Sequence, residues 1–269
     1  MMSLTSQHLE RHAAPIEPDA KTAEFYRHAM QTLDRAGVPY LVGGGYAMAY
    51  YTGIARNTKD LDLFVRPQDR DRLLTTLTAH GYKTEFFYPF WIAKVLRDDA
   101  FVDVLYNSGN GVCVVDDEWF EHALPHEVLG YATRLVPAEE QLWSKAFVQD
   151  RDRFDGADVN HLILNLGPRL HWHRLLRRFE KHERVLMSHL LLFGYVYPSE
   201  RDLIPTWVMD ELDRAIRSEL PVKTKLCRGT QLAQRNYWID THEWGYKDVR
   251  VKPIGPLTPE EGEQLPPPL

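Results

Sequence analysis

Apolar residues recur at helical spacing near the start of the chain. They stand three or four residues apart at Ala23, Tyr26, Met30 and Leu33. This period predicts an amphipathic helix over residues 19–35, and a glycine just beyond it, Gly37, predicts where the helix ends.

A different pattern follows this helix. Residues 38–42 form a short apolar run that predicts a strand, and three glycines at positions 43–45 separate it from a short helix starting near Tyr46. From Asp60 to Val65 apolar and other residues then alternate, which is the period of a strand with one buried face.

The rest of the first half continues this alternation of strands and helices. Pro67 opens a predicted helix over residues 68–80. Strand-like runs follow at 84–87, 91–96, 101–106 and 131–136. The order of elements predicts the α/β (α+β) class, with a mixed sheet covered by helices.

The second half has mainly helical patterns. Helices are predicted from Pro137 to about residue 151, from Asp155 onward with that residue as N-cap, over 169–181 and over 183–193. The predicted organisation is a flexible leader (1–18), a catalytic domain (19–136), a helical domain (137–220), an aromatic-rich docking arm (221–251) and a disordered proline-rich tail (252–269).

Composition narrows the classes of function. The chain has 269 residues, 44% of them hydrophobic, and a formal net charge of −6. This balance argues against sequence-independent binding of nucleic acid, which needs a basic surface. Two distant cysteines and the lack of a long apolar run predict a reduced, cytoplasmic protein without membrane contact.

The aspartates of the alternating run are the first candidate for chemistry. Asp60 and Asp62 project from the same side of a strand, about 7 Å apart along it. Such a pair is either a solvated strand face or part of a metal site. The glycine triplet is likewise either a tight turn or a place where backbone N–H groups approach a phosphate at a helix start. Together they favour a site for Mg²⁺ and a nucleotide, because Mg²⁺ is often held by carboxylates plus substrate phosphates.

The sequence GGYAMAYYTGIARNTKDLDL carries a family resemblance. It resembles the DNA polymerase β-like nucleotidyltransferase superfamily, and within it the bacterial minimal and antibiotic-type enzymes. The matching residues are Gly44, Gly45, Asp60 and Asp62, while Gly43 stands where many relatives have an aliphatic residue. The superfamily has a third carboxylate on a later strand, and Asp103 in FVDVLY fits that position.

The resemblance implies an enzyme that moves a nucleoside monophosphate from an NTP such as ATP to an acceptor hydroxyl and releases pyrophosphate. It implies that Asp60, Asp62 and Asp103 bind Mg²⁺ or Mn²⁺, with Asp103 also orienting or deprotonating the acceptor. Gly44 and Gly45 would then hold the phosphates of the NTP.

Three lysines are further candidates for nucleotide binding. Lys59 directly precedes the first aspartate, and Lys94 lies on a predicted strand from which it could face the triphosphate. Lys145 lies on the helix after the sheet, where resembling enzymes commonly carry a phosphate-binding lysine or arginine. The alternatives are an edge-strand charge for Lys94 and a surface helix lysine for Lys145.

The acceptor stays open between a small molecule, such as an antibiotic, and a tRNA or protein modified by a toxin-like enzyme. The basic run over 169–181 is either a solvated helix face or an acceptor surface for RNA. A nucleotide-binding protein without activity is the third alternative. The acids at 116–118 are interpreted as helix N-terminal charges, and the histidines, which lack ligand spacing, as structural.

Overall fold

A computed structural model describes residues 18–56 and 58–250 of the chain. The predicted leader, apart from residue 18, and the predicted tail lie outside the described residues. The chain divides into two compact units, one made of Met1–Gly109 with Cys113–Gln141 and the other of Asn110–Val112 with Leu142–Leu269.

The first unit is built on a seven-stranded mixed sheet. In chain order its strands are β1 (Leu41–Val42), β2 (Asp60–Phe64), β3 (Lys83–Tyr88), β4 (Ile92–Arg97), β5 (Ala100–Leu105), β6 (Leu124–Val128) and β7 (Tyr131–Leu135). They lie in the order β3-β4-β5-β2-β1-β7-β6. The β2–β5 and β1–β7 pairs are parallel and the other neighbouring pairs are antiparallel. This architecture confirms the predicted fold class.

Helices α1 (Ala20–Arg35), α2 (Gly44–Thr52), α3 (Arg70–Ala79) and α4 (Asp117–Glu121) belong to the same unit. The side chain of Asp19 caps α1 by accepting hydrogen bonds from the backbone N–H groups of Lys21 and Thr22. The boundary between the units falls within α5 (Ala138–Ala146).

The core of the first unit explains which face of the sheet is free for chemistry. On β2, Leu61 and Leu63 are fully buried and belong to the core that includes residues of α1 and α3. Because side chains alternate along a strand, Asp60 and Asp62 lie on the opposite face. Farther along that face, the Phe64 ring stacks on Trp119 of α4, so the apolar end of the strand is covered and the acidic end is not.

The second unit is mainly helical. It contains α6 (Gly156–Leu166), α7 (Trp172–Arg178), α8 (Glu183–Val196), α9 (Thr206–Ser218), α10 (Trp238–His242) and a parallel pair of short strands, β8 (Leu226–Cys227) and β9 (Lys247–Asp248). No helix among the described residues is long and apolar enough to span a membrane.

Several predicted boundaries need correction. The strand predicted over 38–42 is reduced to β1, because the backbone N–H of Val38 still bonds to the carbonyl of Leu33 at the end of α1. Strand β6 was not predicted, and neither was α9, although Val208 and Leu212 are buried at helical spacing in it. Asp155 stands at the start of α6, but its side chain accepts a hydrogen bond from Lys145 and does not cap the helix.

Candidate active site

The three predicted aspartates lie together on one face of the sheet. Strands β2 and β5 are parallel neighbours, and their register places Asp62 directly beside Asp103. One carboxylate oxygen from each of Asp60, Asp62 and Asp103 lies within 4.8 Å of the other two. Asp103 is buried, whereas the other two side chains are partly exposed. The convergence follows from strand pairing between segments forty residues apart, which no local pattern encodes.

The glycine triplet packs directly against this cluster. Gly44 is the first residue of α2 and has a φ of +54°, and a Cβ at this position would overlap the carboxylate of Asp62. A Cβ at Gly43 would instead overlap the ring of Phe64. The departure from the family pattern at Gly43 therefore has a packing reason, and Gly44 is the glycine that borders the carboxylates.

Asp60 is oriented by its neighbour two residues earlier. The hydroxyl of Thr58 donates a 2.7 Å hydrogen bond to Oδ1 of Asp60. A Cβ at Gly45 would come within 3.1 Å of the Cβ of Thr58. Gly45 thus borders the cluster through Thr58, and its small size lets that threonine hold the carboxylate.

Asp103 has a positively charged partner on the next strand. Nζ of Lys94 lies 2.6 Å from Oδ1 of Asp103, and both side chains are largely buried. The register of β4 and β5 pairs these two residues directly. Burial raises the pKa of the Asp103 carboxyl, the hydrogen bond and charge of Lys94 oppose that shift, and the charge of Asp60 adds to it.

Two tyrosines lie close to the same carboxylates. Tyr46 and Tyr26 are both buried, and burial is the main cause that raises the pKa of each phenol. The charge of Asp60 raises both pKa values further, and those of Asp62 and Asp103 add to the effect on Tyr26. The Tyr46 hydroxyl has no hydrogen-bond partner within the part of the chain that the structure describes.

The residues at this site fit a divalent cation. Carboxylate oxygens are the donors that Mg²⁺ and Mn²⁺ prefer, and three of them converge here. Beside them, Gly44 lets the Asp62 carboxylate pack directly against the backbone, and the buried hydroxyl of Tyr46 is a further polar atom with no hydrogen-bond partner among the described residues. Such an atom is the kind of group that a hydrated ion satisfies.

The other predicted nucleotide-binding residues have different surroundings. Lys59 is exposed, immediately before β2. Lys145 belongs to the second unit, where Nζ lies 3.0 Å from Asp155 and 2.7 Å from Asp158. Lys94 and Lys145 are both held in ion pairs, so a role for either in phosphate binding requires that its pair rearrange.

Several charged residues and a histidine outside the cluster lie at helix starts or in the interior. Asp117 and Glu118 lie in the first turn of α4, where they were predicted as helix charges. His171 accepts a hydrogen bond from the backbone N–H of Arg174 at the start of α7. The prediction of a solvated basic face is wrong for Arg174, which is only 4% exposed.

Two residues of the site, Thr58 and Tyr46, were not predicted as site residues. Both stand in the sequence GGYAMAYYTGIARNTKDLDL that carried the resemblance, and that was the signal available. Taken alone, a threonine before a strand and an aromatic residue in a short apolar helix are typical of ordinary structure.

Comparison with known families agrees with the geometry. Residues 26–104 match the model of the family described as aminoglycoside-2''-adenylyltransferase. The matched segment includes α1 from Tyr26 onward, the glycines, β2 and β5 up to Val104, and hence all three aspartates. No curated protein sequence matches the chain significantly.

Among solved structures, the antibiotic-resistance factor ANT(2'')-Ia is 17% identical, with 64% of this chain and 98% of that chain covered and a TM-score of 0.43. The lincosamide antibiotic adenylyltransferase LnuA in its lincomycin-bound form is 18% identical, with 53% and 96% covered and a TM-score of 0.38. An antigenic nucleotidyltransferase-like protein from Paracoccidioides brasiliensis is 18% identical, with 71% and 94% covered and a TM-score of 0.43.

These TM-scores are all below 0.5. The relation of this chain to nucleotidyltransferases is therefore argued from the family match and from the chain's own geometry. The matched segment contains the glycines and the three converging carboxylates that carried the sequence resemblance. With its mixed sheet, the chain fits the DNA polymerase β-like nucleotidyltransferase superfamily.

Proposed function

We propose that the protein is a Mg²⁺-dependent nucleotidyltransferase that moves a nucleoside monophosphate from an NTP to a hydroxyl of a small-molecule acceptor. The observation that carries this proposal is the convergence of three carboxylates from β2 and β5 beside Gly44. The match to an adenylyltransferase family over the same segment supports it.

Asp60 and Asp62 would hold the cation together with the phosphates of the NTP. A Mg²⁺ ion held by these residues would offset the negative charge that develops on the phosphates during in-line displacement. The start of α2 would bind the phosphates through backbone N–H groups, since the orphan donors and the dipole of a helix N-terminus both favour anions. A side chain at Gly44 would overlap the Asp62 carboxylate beside this helix start.

Asp103 would act on the acceptor. In the transfer step, the acceptor oxygen forms a bond to the α-phosphorus while the bond from that phosphorus to the pyrophosphate oxygen breaks. The hydroxyl proton passes to Asp103, and pyrophosphate leaves. Burial raises the pKa of this carboxyl, which makes it a better proton acceptor than an exposed aspartate.

The charges on this face favour a small cationic acceptor. Register places Glu85 of β3 beside Lys94, in the same cross-strand row as Asp103 and Asp62. Glu85 therefore places a carboxylate at the end of the row away from the cation, where an amino group of an acceptor could pair with it. The alternative RNA acceptor would need the basic run over 169–181 as a continuous surface. That surface is interrupted, because Arg174 is buried and Arg178 lies over the ring of Trp143, while Arg169, Arg177 and Lys181 are exposed.

The test is transfer of label from α-³²P-labelled NTPs in the presence of Mg²⁺. The acceptors are a panel of aminoglycosides and lincosamides, a small-molecule extract, total tRNA and a protein extract. We expect the label to appear in a cationic small molecule, and only when the wild-type protein is present. Asp103→Asn should lose this transfer. Label confined to tRNA or protein would overturn the acceptor class, and no labelled product in any fraction would overturn the activity.

A further inference from the structure

Lys94 is held at the carboxylate cluster by more than one contact. Its ammonium lies 2.6 Å from Asp103, 3.9 Å from the centre of the Phe101 ring and 5.2 Å from that of Phe87. Attraction of a cation to an aromatic face strengthens as water is excluded, and the Lys94 side chain is only 17% exposed. A surface lysine would sample many positions, whereas the ammonium of Lys94 is held in a seat formed by Asp103, Phe101 and Phe87.

The seat lies at the third carboxylate of the cluster. Oδ1 of Asp103 accepts the hydrogen bond from Lys94, while the ligand atoms of Asp60 and Asp62 lie within 4.8 Å of that of Asp103. Lys94 offsets the charge of Asp103, the most buried of the three carboxylates. A second cation would have to compete with Lys94 for Asp103.

We propose that Lys94 is a built-in counterion that limits the nucleotide-free site to a single divalent cation, an inference that rests on the function proposed above. The first cation binds at Asp60 and Asp62. The NTP then brings the negative charge that a second cation needs, and its phosphates offer Lys94 a partner other than Asp103. In this arrangement the full set of cations assembles only when the nucleotide is present.

The experiment is a titration of the nucleotide-free full-length protein with Mn²⁺, in which the electron paramagnetic resonance signal of free Mn²⁺ reports the amount bound. We expect one Mn²⁺ per wild-type chain. In Lys94→Gln and Lys94→Met we expect two Mn²⁺ over the same concentration range, with the first bound about tenfold more tightly or better, because a like charge has been removed. Gln can still donate a hydrogen bond to Asp103, so Lys94→Gln decides the outcome if Lys94→Met does not fold.

Lys83→Met is the matched control. Lys83 is also a strand lysine paired with a carboxylate, Glu85 at 3.5 Å, but its side chain is 74% exposed and it lies on edge strand β3. The Lys83→Met substitution removes the same charge from the protein as Lys94→Met does, so its Mn²⁺ isotherm should match that of the wild type. Phe101→Leu, which loosens the seat and leaves every charge in place, should tighten Mn²⁺ binding less than Lys94→Gln does.

Two results would overturn the role of Lys94 and leave the proposed function intact. These are two Mn²⁺ bound by the nucleotide-free wild type, or one Mn²⁺ bound identically by wild type and Lys94→Gln. A wild type that binds no Mn²⁺ either with or without NTP would instead overturn the proposed function.

Discussion

Gly44 meets two constraints at once, a positive φ of +54° and close packing against the Asp62 carboxylate. We predict that Gly44→Ala will weaken Mg²⁺–NTP binding by about tenfold or more, because the new methyl group displaces that carboxylate and blocks the phosphate approach. Isothermal titration calorimetry with a non-hydrolysable NTP analogue measures the loss.

Gly81→Ala separates site blockage from backbone strain. Gly81 has a φ of +86°, but a Cβ there would meet no atom within 4 Å. This variant should lose about 1 kcal/mol of stability, as expected for alanine forced to positive φ, and keep parental nucleotide affinity. If Gly44→Ala bound nucleotide like Gly81→Ala, the glycine triplet would be only a turn.

Asp103 should differ from the other two aspartates in what its loss removes. In Asp103→Asn, Asp60 and Asp62 remain to grip the nucleotide and Lys94 is released to pair with its phosphates, so binding should weaken by no more than about tenfold. Transfer should fall about 10²-fold or more, the scale expected for a positioned acid–base group. Single-turnover kinetics beside a binding isotherm make the comparison. Parental turnover in this variant would remove Asp103 from the chemistry.

At the scale of elements, the sequence predicted most strands of the sheet but not the register in which they pair. The period-two pattern around Asp60 and around Asp103 gave each strand and its exposed face. Only the β2–β5 register brings Asp62 beside Asp103, and only the β4–β5 register brings Lys94 there. Register depends on long-range packing, which explains why Lys94 was predicted at the nucleotide and not in an ion pair with Asp103.

The turn between α7 and α8 carries a histidine whose protonation opposes folding. Burial and the charge of Arg228 lower the pKa of His182 from 6.5 to about 4. The unfolded chain therefore takes up a proton as pH falls through 6.5, whereas the folded chain does so only near pH 4. The contribution of neutral His182 to the free energy of unfolding is therefore fully present above pH 6.5, and it is lost as pH falls from 6.5 to about 4.

We predict that His182→Gln will flatten this part of the stability–pH profile. Between pH 7 and 4.5, the wild type should lose roughly 1–2 kcal/mol more unfolding free energy than the variant, after discounting for partial exposure. Urea unfolding at a series of pH values measures the difference. His173→Gln, at an exposed histidine stacked on Trp207, is the control and should keep the wild-type slope.

At the scale of the molecule, the predicted α/β class and the mixed sheet are confirmed. Both could be predicted because they follow from the order of helical and strand periods along the chain. The limits of the units were harder to predict. Residues 110–112 belong to the second unit although strands of the first unit lie on both sides in sequence, and the boundary near 141 falls inside α5. Hydrophobic periodicity marks a helix but does not show where along it the packing partners change.

The carboxylate cluster should cost the whole molecule stability when no ligand is bound. Like charges within 4.8 Å repel, so replacing both Asp60 and Asp62 by Asn should raise the free energy of unfolding by roughly 1–2 kcal/mol, a gain in Tm of a few degrees. Asn keeps an oxygen that can accept the hydrogen bond from Thr58, so the local structure should survive.

A ligand stabilises the folded state by about 2.7 kcal/mol at 100 times its Kd, and the double variant should lose this increment for Mg²⁺–NTP. Differential scanning calorimetry with and without Mg²⁺–NTP measures both effects on one protein. A double variant that melts at a lower temperature without ligand, yet gains as much from Mg²⁺–NTP as the wild type, would show that these aspartates serve the fold and not the nucleotide.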